Sequence, residues 1–394
     1  MRILYVAPSY PPAIGGAQIY LHALARTIRN LGNEVSVVSH WSEVRTDWLL
    51  GTTVLSGPAK QYDYEGVGVS RLGFRFATRA AMLPWVLVYY LLMERSVRKI
   101  SGYMLPYLAD AAGAPSLVHA TRIGREFLIR AALDFAHERN MPFVLTPVHH
   151  PRWRGHLYCE YDKIYREADA ILALTTAERD TLVSEKGVVE EKVHVTGIGP
   201  VLSERYSADD FRLRFGLKER FVLFVGQQYK YKGVDAILQA APIVWEKHPD
   251  VQFVFIGPRM PESRSLFRTF RDSRLLNLGA VDLETKTSAL AACEFLCMPS
   301  VQESFGGVYV EAWSLRKAVI GGRIGPIACV IDEGRDGLLS SQDASELAEA
   351  ISYLLSHPSD CQAMGDCGWQ KVQDRYTWDR LAKKTLDVYR GLSS

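Results

Sequence analysis

Short apolar runs alternate with longer stretches whose apolar positions recur every three to four residues, and the alternation continues along almost the whole chain. "RILYVA" leads into "AQIYLHALARTIRNLG", where Leu21, Leu24, Ala25 and Ile28 keep one helix face apolar and Gly32 supplies the stop. "EVSVVS", "LVHA", "FVLT" and "AILALT" follow, each succeeded by a helical or loop segment. Strand-length runs separated by such segments predict a βαβ series, and hence a parallel sheet with helices on both faces. The series restarts at "RFVLFVG" (220–226) and continues through "GVDAILQAAPIVWEKH", "VQFVFIG", "FLCMPS" and "AVIGG". It ends in the amphipathic "TWDRLAKKTLDVYRGL". A chain of 394 residues is too long for one comfortable core. The expected architecture is α/β: two doubly wound Rossmann-like domains, residues 1–200 and 201–375, with "GPVLSERY" near their junction and a last helix over 376–394.

One run breaks this rhythm. "AAMLPWVLVYYLLM" (80–93) is apolar for 14 residues, too short to span a bilayer, which needs about 20. Arg71, Arg75 and Arg79 precede it, and Arg95, Arg98 and Lys99 follow. Two readings stand side by side: a core helix with snorkelling ends, or a helix lying on an anionic membrane surface through residues 71–99.

Composition narrows the choice of partners. With 46 basic and 44 acidic residues the chain lacks the net charge of a nucleic-acid binder. Its six cysteines form no C-x-x-C pair and no histidine partners them at zinc-ligand spacing, so reduced thiols are expected. The opening "MRILYVAPSYPP" has too short an apolar run for a secretion signal, and a cytoplasmic protein is expected.

In open parallel sheets, ligands sit beyond the carboxyl ends of the strands. Two such domains facing each other would frame a deep cleft lined by those loops. After the first strand, "PSYPPAIGGAQ" sets Gly15 and Gly16 before a helix, where backbone amides can approach an anion at the positive helix end. The spacing is not the dinucleotide G-x-G-x-x-G, and a tight βα turn is the structural alternative for the glycines. "FVGQQYKYKGVD" places Gly226, Gln227, Lys230 and Lys232 between a strand and a helix; lysines there suit phosphate oxygens, although a solvated loop would look similar.

"ESFGGVYVE" (303–311) reads as a loop running into a helix, with Glu303 in the loop and Glu311 in the early helical turns. Ser304, Gly306 and Gly307 offer amides between the two carboxylates. Carboxylates accept paired hydrogen bonds from sugar hydroxyls, so a phosphate bracketed by two of them describes a nucleoside diphosphate sugar.

These segments, taken in order, resemble glycosyltransferase family 4, retaining enzymes of the GT-B fold. The likeness runs through "PSYPPAIGG", "FVGQQYKYKG", "MPSVQESFGGVYVEAWSLRKAVIGG", "DEGRDGLL" and "RYTWDRLAKKTLDVY", and so covers nearly the whole chain. The resemblance implies that Glu303 holds hydroxyls of the transferred sugar and Glu311 those of the ribose. It implies that Lys232 neutralises the diphosphate, helped by amides of Ser304, Phe305, Gly306 and Gly16. Val281, in "LGAVDLETK", would lie beside the base. No cofactor and no metal is implied, and the sugar nucleotide is a substrate.

Three departures stand out. The family carries arginine where Gln227 stands, with Lys230 as the nearby substitute, and proline where Ala318 follows Lys317. Its T-x-H arrangement reads "LTPVHHPRW" here, with Val148 at the histidine position, so either His149 or His150 fills the role. His119 ends an earlier strand and reads as a structural group. On the acceptor side stand Gly15, Arg152 and Arg154, with Trp153 between the arginines; a sugar or lipid-linked acceptor carrying an anionic group suits them. The implied function is sugar transfer in cell-surface polysaccharide, glycolipid or lipid-linked oligosaccharide assembly. The alternatives are a soluble transferase making a small glycoside or sugar phosphate, a GT-B epimerase, and a non-catalytic sugar-nucleotide binder.

Overall fold

A computed structural model of the chain describes residues 1–13, 15–43, 46, 48–121, 124–150, 153 and 155–392. The chain divides into two units, Met1–Gly197 with Trp378–Ser394, and Ile198–Thr377.

The first unit is built on strands β1 (Arg2–Val6), β2 (Glu34–Ser39), β3 (Lys60–Tyr64), β4 (Val67–Arg71), β5 (Leu117–Thr121), β6 (Phe143–Thr146), β7 (Ala170–Ala173) and β8 (Val193–Val195). They form one sheet in the order β3-β4-β2-β1-β5-β6-β7-β8. Every neighbour is parallel except β3 with β4. That edge pair is a hairpin whose turn residues, Glu65 and Gly66, both have positive φ, the backbone of a two-residue turn matched to strand twist. The central strands are buried because helices cover them. The helices Met93–Ala112 and Glu126–Glu138 pack on each other and bury Val97, Ile100, Met104 and Leu108 at three- to four-residue spacing.

The helix Trp378–Leu392 belongs to this unit and packs on the helix Gly16–Asn30. Leu381, Ala382, Thr385, Leu386 and Tyr389 form its buried face. The Tyr389 hydroxyl lies 3.1 Å from that of Tyr5 and 2.5 Å from His119 Nδ1, and His119 Nε2 lies 2.8 Å from Thr146 Oγ1. Burial pushes the His119 imidazole down to about 3, so it stays neutral and serves as a structural link between strands and terminal helix.

The apolar run 80–93 is not one helix. The helix Phe76–Leu87 ends within it, a turn follows, and the helix Met93–Ala112 begins. The cause is a divided run: Met82, Val86, Tyr89 and Met93 go into the core, and the Tyr89 hydroxyl donates to the buried carboxylate of Glu126. Phe76, Leu87 and Leu91 are instead 81%, 74% and 84% exposed, beside exposed Tyr90 and Leu92. Neither a wholly buried helix nor a continuous surface helix describes the segment. It forms a ridge anchored from below.

The second unit has strands β9 (Phe221–Val225), β10 (Gln252–Ile256), β11 (Leu275–Gly279), β12 (Phe295–Met298), β13 (Ala318–Gly322) and β14 (Gly337–Ser340). All pair in parallel, in the order β11-β10-β9-β12-β13-β14. Strand order therefore reverses between β9 and β12, and the loops beyond these two strands part at that point.

Candidate active site

Two glycine contacts draw the loop after β9 close to those after β12 and β10. Gly233, at φ +92, lies so close to Pro299 that an added Cβ would come within 2.6 Å of its ring. Gly257, at φ +129, would place a Cβ 2.0 Å from the carbonyl oxygen of Gly226. Only glycine satisfies both the backbone angle and the approach.

Lys232, just before Gly233, makes an ion pair with Glu303 in the loop after β12, the two side chains being 17% and 13% exposed. A second pair forms in the same unit: Lys286 Nζ lies 2.8 Å from Glu311 Oε2, with exposures of 18% and 13%. Lys286, from the helix Leu283–Ala292, also donates to the carbonyl of Val201 at 3.0 Å. Sequence reasoning missed this lysine; its only signal was its place one helical turn into the segment that follows "LGAV".

Glu311 projects from the helix Gly307–Ser314, which no side chain caps at Gly306. Gly306 has φ +87, and a Cβ there would come within 2.3 Å of the Tyr309 ring, whose hydroxyl is tied to the Met298 carbonyl at 2.7 Å. Gly307 and Ser304 are half-buried beside it, and Phe305 is buried with its ring against Tyr376. Only the backbone of Phe305 can serve a ligand. Gly226, Gln227 and Val281 are half-buried at the ends of their strands.

Lys230 does not join the pairs. Its side chain is 73% exposed and faces Asp235 at 3.7 Å, because the short helical turn Lys230–Lys232 points successive side chains in different directions. The expected substitute for the charge missing at Gln227 is therefore turned to solvent. Its neighbour Gln228 is wholly buried, exchanging amide hydrogen bonds of 2.8 and 3.0 Å with Asn277. Arg259 donates to the Asn277 carbonyl at 2.5 Å, adding a guanidinium to the loop after β10 that sequence reasoning also missed.

In the first unit, Gly15 is extended and the helix opens at Gly16 without a side-chain cap. A Cβ on Gly16 would meet nothing within 4 Å, so packing does not require glycine there. Beyond β6, Val148 has φ +50, strained for a β-branched residue. The next residue, His149, is buried, with Nδ1 3.0 Å from the Tyr165 hydroxyl and its backbone N–H donating to Glu178 Oε1 at 2.6 Å. Glu178 Oε2 accepts from Leu174 N at 2.6 Å. Burial raises this carboxyl to about 7 despite both N–H bonds. Glu178 was missed, although "TTAE" (175–178) carries a capping-box pattern. Thr175 does cap the helix, while the glutamate is diverted to hold the histidine loop.

His150 is half-buried, 6.1 Å ring to ring from Trp153. Trp153 itself is buried among His149, Tyr158 and Tyr161, which corrects the expectation that it greets an acceptor. Arg152 and Arg154 lie outside the described residues. Among the described residues no group of three or more His, Cys, Asp and Glu side chains is placed to hold a metal ion.

Comparison with known proteins joins these observations. Residues 15–199 match the family described as "Glycosyl transferase 4-like domain", and residues 219–357 match "Glycosyl transferases group 1". The chain belongs to the family 4 glycosyltransferases of the GT-B fold. It is 25% identical over 409 residues to glycogen synthase of Mycobacterium tuberculosis, covering 99% of this chain and 94% of that one. It is 29% identical over 252 residues to alpha-maltose-1-phosphate synthase of Mycolicibacterium smegmatis, a match that spans 58% of this chain and only 64% of that protein. To D-inositol 3-phosphate glycosyltransferase of Corynebacterium urealyticum it is 30% identical over 254 residues, 59% of each chain. Sucrose-phosphate synthase from Thermosynechococcus elongatus has the same fold, with a TM-score of 0.77 at 19% identity over 100% of this chain and 99% of that one. So does Anabaena HepE in complex with UDP and glucose, with a TM-score of 0.73 at 17% identity over 100% of both.

Proposed function

We propose that this glycosyltransferase moves a sugar from a nucleoside diphosphate sugar to an acceptor hydroxyl, with retention at the anomeric carbon and without a metal ion or cofactor. The observation that carries this reading is the pair of lysine–glutamate contacts beside the strand reversal of the second sheet. A diphosphate can take Lys232 from Glu303, which frees the carboxylate to accept hydroxyls of the transferred sugar. Glu311, held by Lys286, is matched in the same way to the ribose diol. The bond between the anomeric carbon and the diphosphate oxygen breaks, with its electron pair left on that oxygen. Lys232 and the uncapped helix end at Gly306 stabilise that charge. The acceptor oxygen bonds the anomeric carbon from the same face, and its proton passes to the departing phosphate. Complexes of HepE with UDP and with UDP-glucose support a sugar nucleotide as donor.

The acceptor side of the proposal is assembly of a polysaccharide, glycolipid or lipid-linked oligosaccharide by a cytoplasmic protein at an anionic membrane face. The ridge of Phe76, Leu87, Tyr90 and Leu91, with exposed Arg75, Arg95 and Lys99 near it in sequence, supports this reading. WaaG, of like fold (TM-score 0.70), is a glycosyltransferase involved in lipopolysaccharide biosynthesis. No helix among the described residues is long and apolar enough to cross a membrane. A second reading, a soluble transferase making a small glycoside or sugar phosphate, draws on the names of the maltose-1-phosphate and inositol-phosphate relatives.

Melting temperature with UDP, GDP, ADP and TDP and their glucose conjugates tests the donor half. A ligand at ~100 times its dissociation constant adds about 2.7 kcal/mol. A rise with one nucleotide family, lost in Glu311→Ala, is expected; a folded chain that answers none of them overturns the transferase reading. Flotation with phosphatidylglycerol vesicles tests the ridge. Leu87→Glu with Leu91→Glu should release the protein, and unchanged flotation sinks the membrane claim in favour of the soluble reading.

A further inference from the structure

The first sheet has its own strand reversal, since β1 lies between β2 and β5 and the chain departs from β1 toward both sides. Beyond β1 lies a small cavity, with about 10 Å³ of room for the centre of a water-sized group, lined by Ser9, Ala17, Gln18, Thr46 and Thr121 among others. Its polar walls are deeply buried: Gln18 is 2% exposed, and Thr46 and Thr121 are each 1% exposed. Gln18 Nε2 donates to Ser9 Oγ at 2.6 Å, but Gln18 Oε1, Thr46 Oγ1 and Thr121 Oγ1 have no hydrogen-bond partner. Buried polar atoms are nearly always partnered, and these three orphans all belong to residues that line one cavity, which calls for a guest.

We propose that this cavity seats one hydroxyl group of a neutral, polyhydroxylic acceptor. The inference rests on the transferase reading and deepens it. The donor set specifies the guest. Gln18 Oε1 can only accept, whereas each threonine hydroxyl can donate or accept. An alcohol oxygen satisfies all three at once, giving its proton to Gln18 and taking hydrogen bonds from Thr46 and Thr121. A phosphate or carboxylate oxygen has no proton for Gln18, and among the described residues no charged side chain lines the cavity to neutralise it. The room available fits one oxygen, close to what a single water needs. Ala17 brings the first turn of the uncapped helix Gly16–Asn30 to the same wall, which favours the partial negative charge of an oxygen atom.

The test uses the full chain and methyl α-D-glucopyranoside as probe, with saturation-transfer NMR as readout. Thr46→Val combined with Thr121→Val keeps side-chain shape and removes both hydroxyls. The half-saturating glucoside concentration should rise at least ~10-fold, with partial recovery in Thr46→Ser combined with Thr121→Ser. Nucleotide-induced stabilisation should stay unchanged in the valine variant, and so should the melting temperature without ligand, because the deleted hydroxyls have no protein partner. Equal glucoside binding by wild type and valine variant overturns the proposal. So does absence of glucoside binding by a wild-type chain that still answers nucleotides, or a large fall in melting temperature without ligand, which would mark a structural water site. Loss of the nucleotide response in the wild type would instead strike the transferase reading itself.

Discussion

Beyond the strands of the second sheet, Lys232 meets Glu303 and Lys286 meets Glu311, four charges drawn mostly out of water. Beyond the strands of the first sheet the described polar groups are buried more deeply: an imidazole, a carboxyl held by backbone N–H groups, and hydroxyls and an amide around one cavity. The two regions share a mainly parallel sheet with a reversal of strand order and differ in electrostatic strategy. Paired charges of opposite sign can trade partners when an anion arrives, and on the proposed reading the second site would receive the diphosphate in this way. Deeply buried polar groups cannot trade in this way, because an unpaired charge at such depth is too costly. The imidazole and the carboxyl fix geometry instead.

The sharpest break of this comparison removes one charge. Lys232→Met should lower transfer by roughly 10²–10³-fold, the scale of losing a preorganised group at developing negative charge, while the chain stays folded. Nucleoside diphosphate release from the stabilising sugar nucleotide measures it. Near-normal turnover in the variant would mean that Lys232 is a structural partner of Glu303 and nothing more.

Next comes the carboxyl of the first unit. Glu178 is raised from 4.5 to about 7 by burial, so the folded chain holds its proton more tightly than the unfolded chain. Its contribution is fully present below the unfolded value and is lost as pH rises through about 7. Between those limits the group accounts for a fall of roughly 3 kcal/mol, at ~1.36 kcal/mol per pH unit. Urea unfolding of wild type and Glu178→Gln across this range should show the difference between them changing by about that amount. Parallel curves would show that the carboxyl is not buried in the fold, and the contrast between the two regions would weaken.

The second site should also discriminate the ribose. Glu311→Gln is expected to weaken binding of the preferred nucleoside diphosphate by roughly 10–30-fold, the worth of a charge-assisted hydrogen bond at about 1.5–2 kcal/mol. Isothermal titration with the 2′-deoxy nucleotide checks the assignment. Wild type should bind the deoxy form more weakly, and the variant should bind both alike. A variant that still distinguishes the two would move the ribose away from Glu311.

How much of each region could be read from the chain follows from the same contrast. Glu303, the glycines and Glu311 lie within nine consecutive residues, and the loop-to-helix bend between them can be read locally. Lys286 escaped because its pairing with Glu311 depends on how two helices settle side by side. In the first unit nearly every telling contact is distant in sequence. Gln18, Thr46 and Thr121 share a cavity, and Glu178 holds the amide of His149 from 29 residues away. The alternation of runs was enough for two parallel sheets, but the polar "KQYDY" has no apolar alternation to announce the edge strand β3. The run 80–93 misled because hydrophobicity alone does not say which of its residues a buried partner such as Glu126 will draw inward.

The smallest effect tests whether the terminal helix is tied to the first region alone. Tyr389→Phe keeps the packed ring and deletes the hydroxyl that lies between Tyr5 and His119 Nδ1. Both groups are buried and would each lose a partner, at a combined cost of about 1–2 kcal/mol. Urea unfolding should register that loss, and it should appear at neutral pH, where His119 is uncharged. The rise in melting temperature given by a nucleotide should stay as in wild type, since Lys232, Lys286, Glu303 and Glu311 all belong to the other unit. A reduced nucleotide response would mean that the terminal helix also governs the charged site, and the two regions would then have to be treated as one.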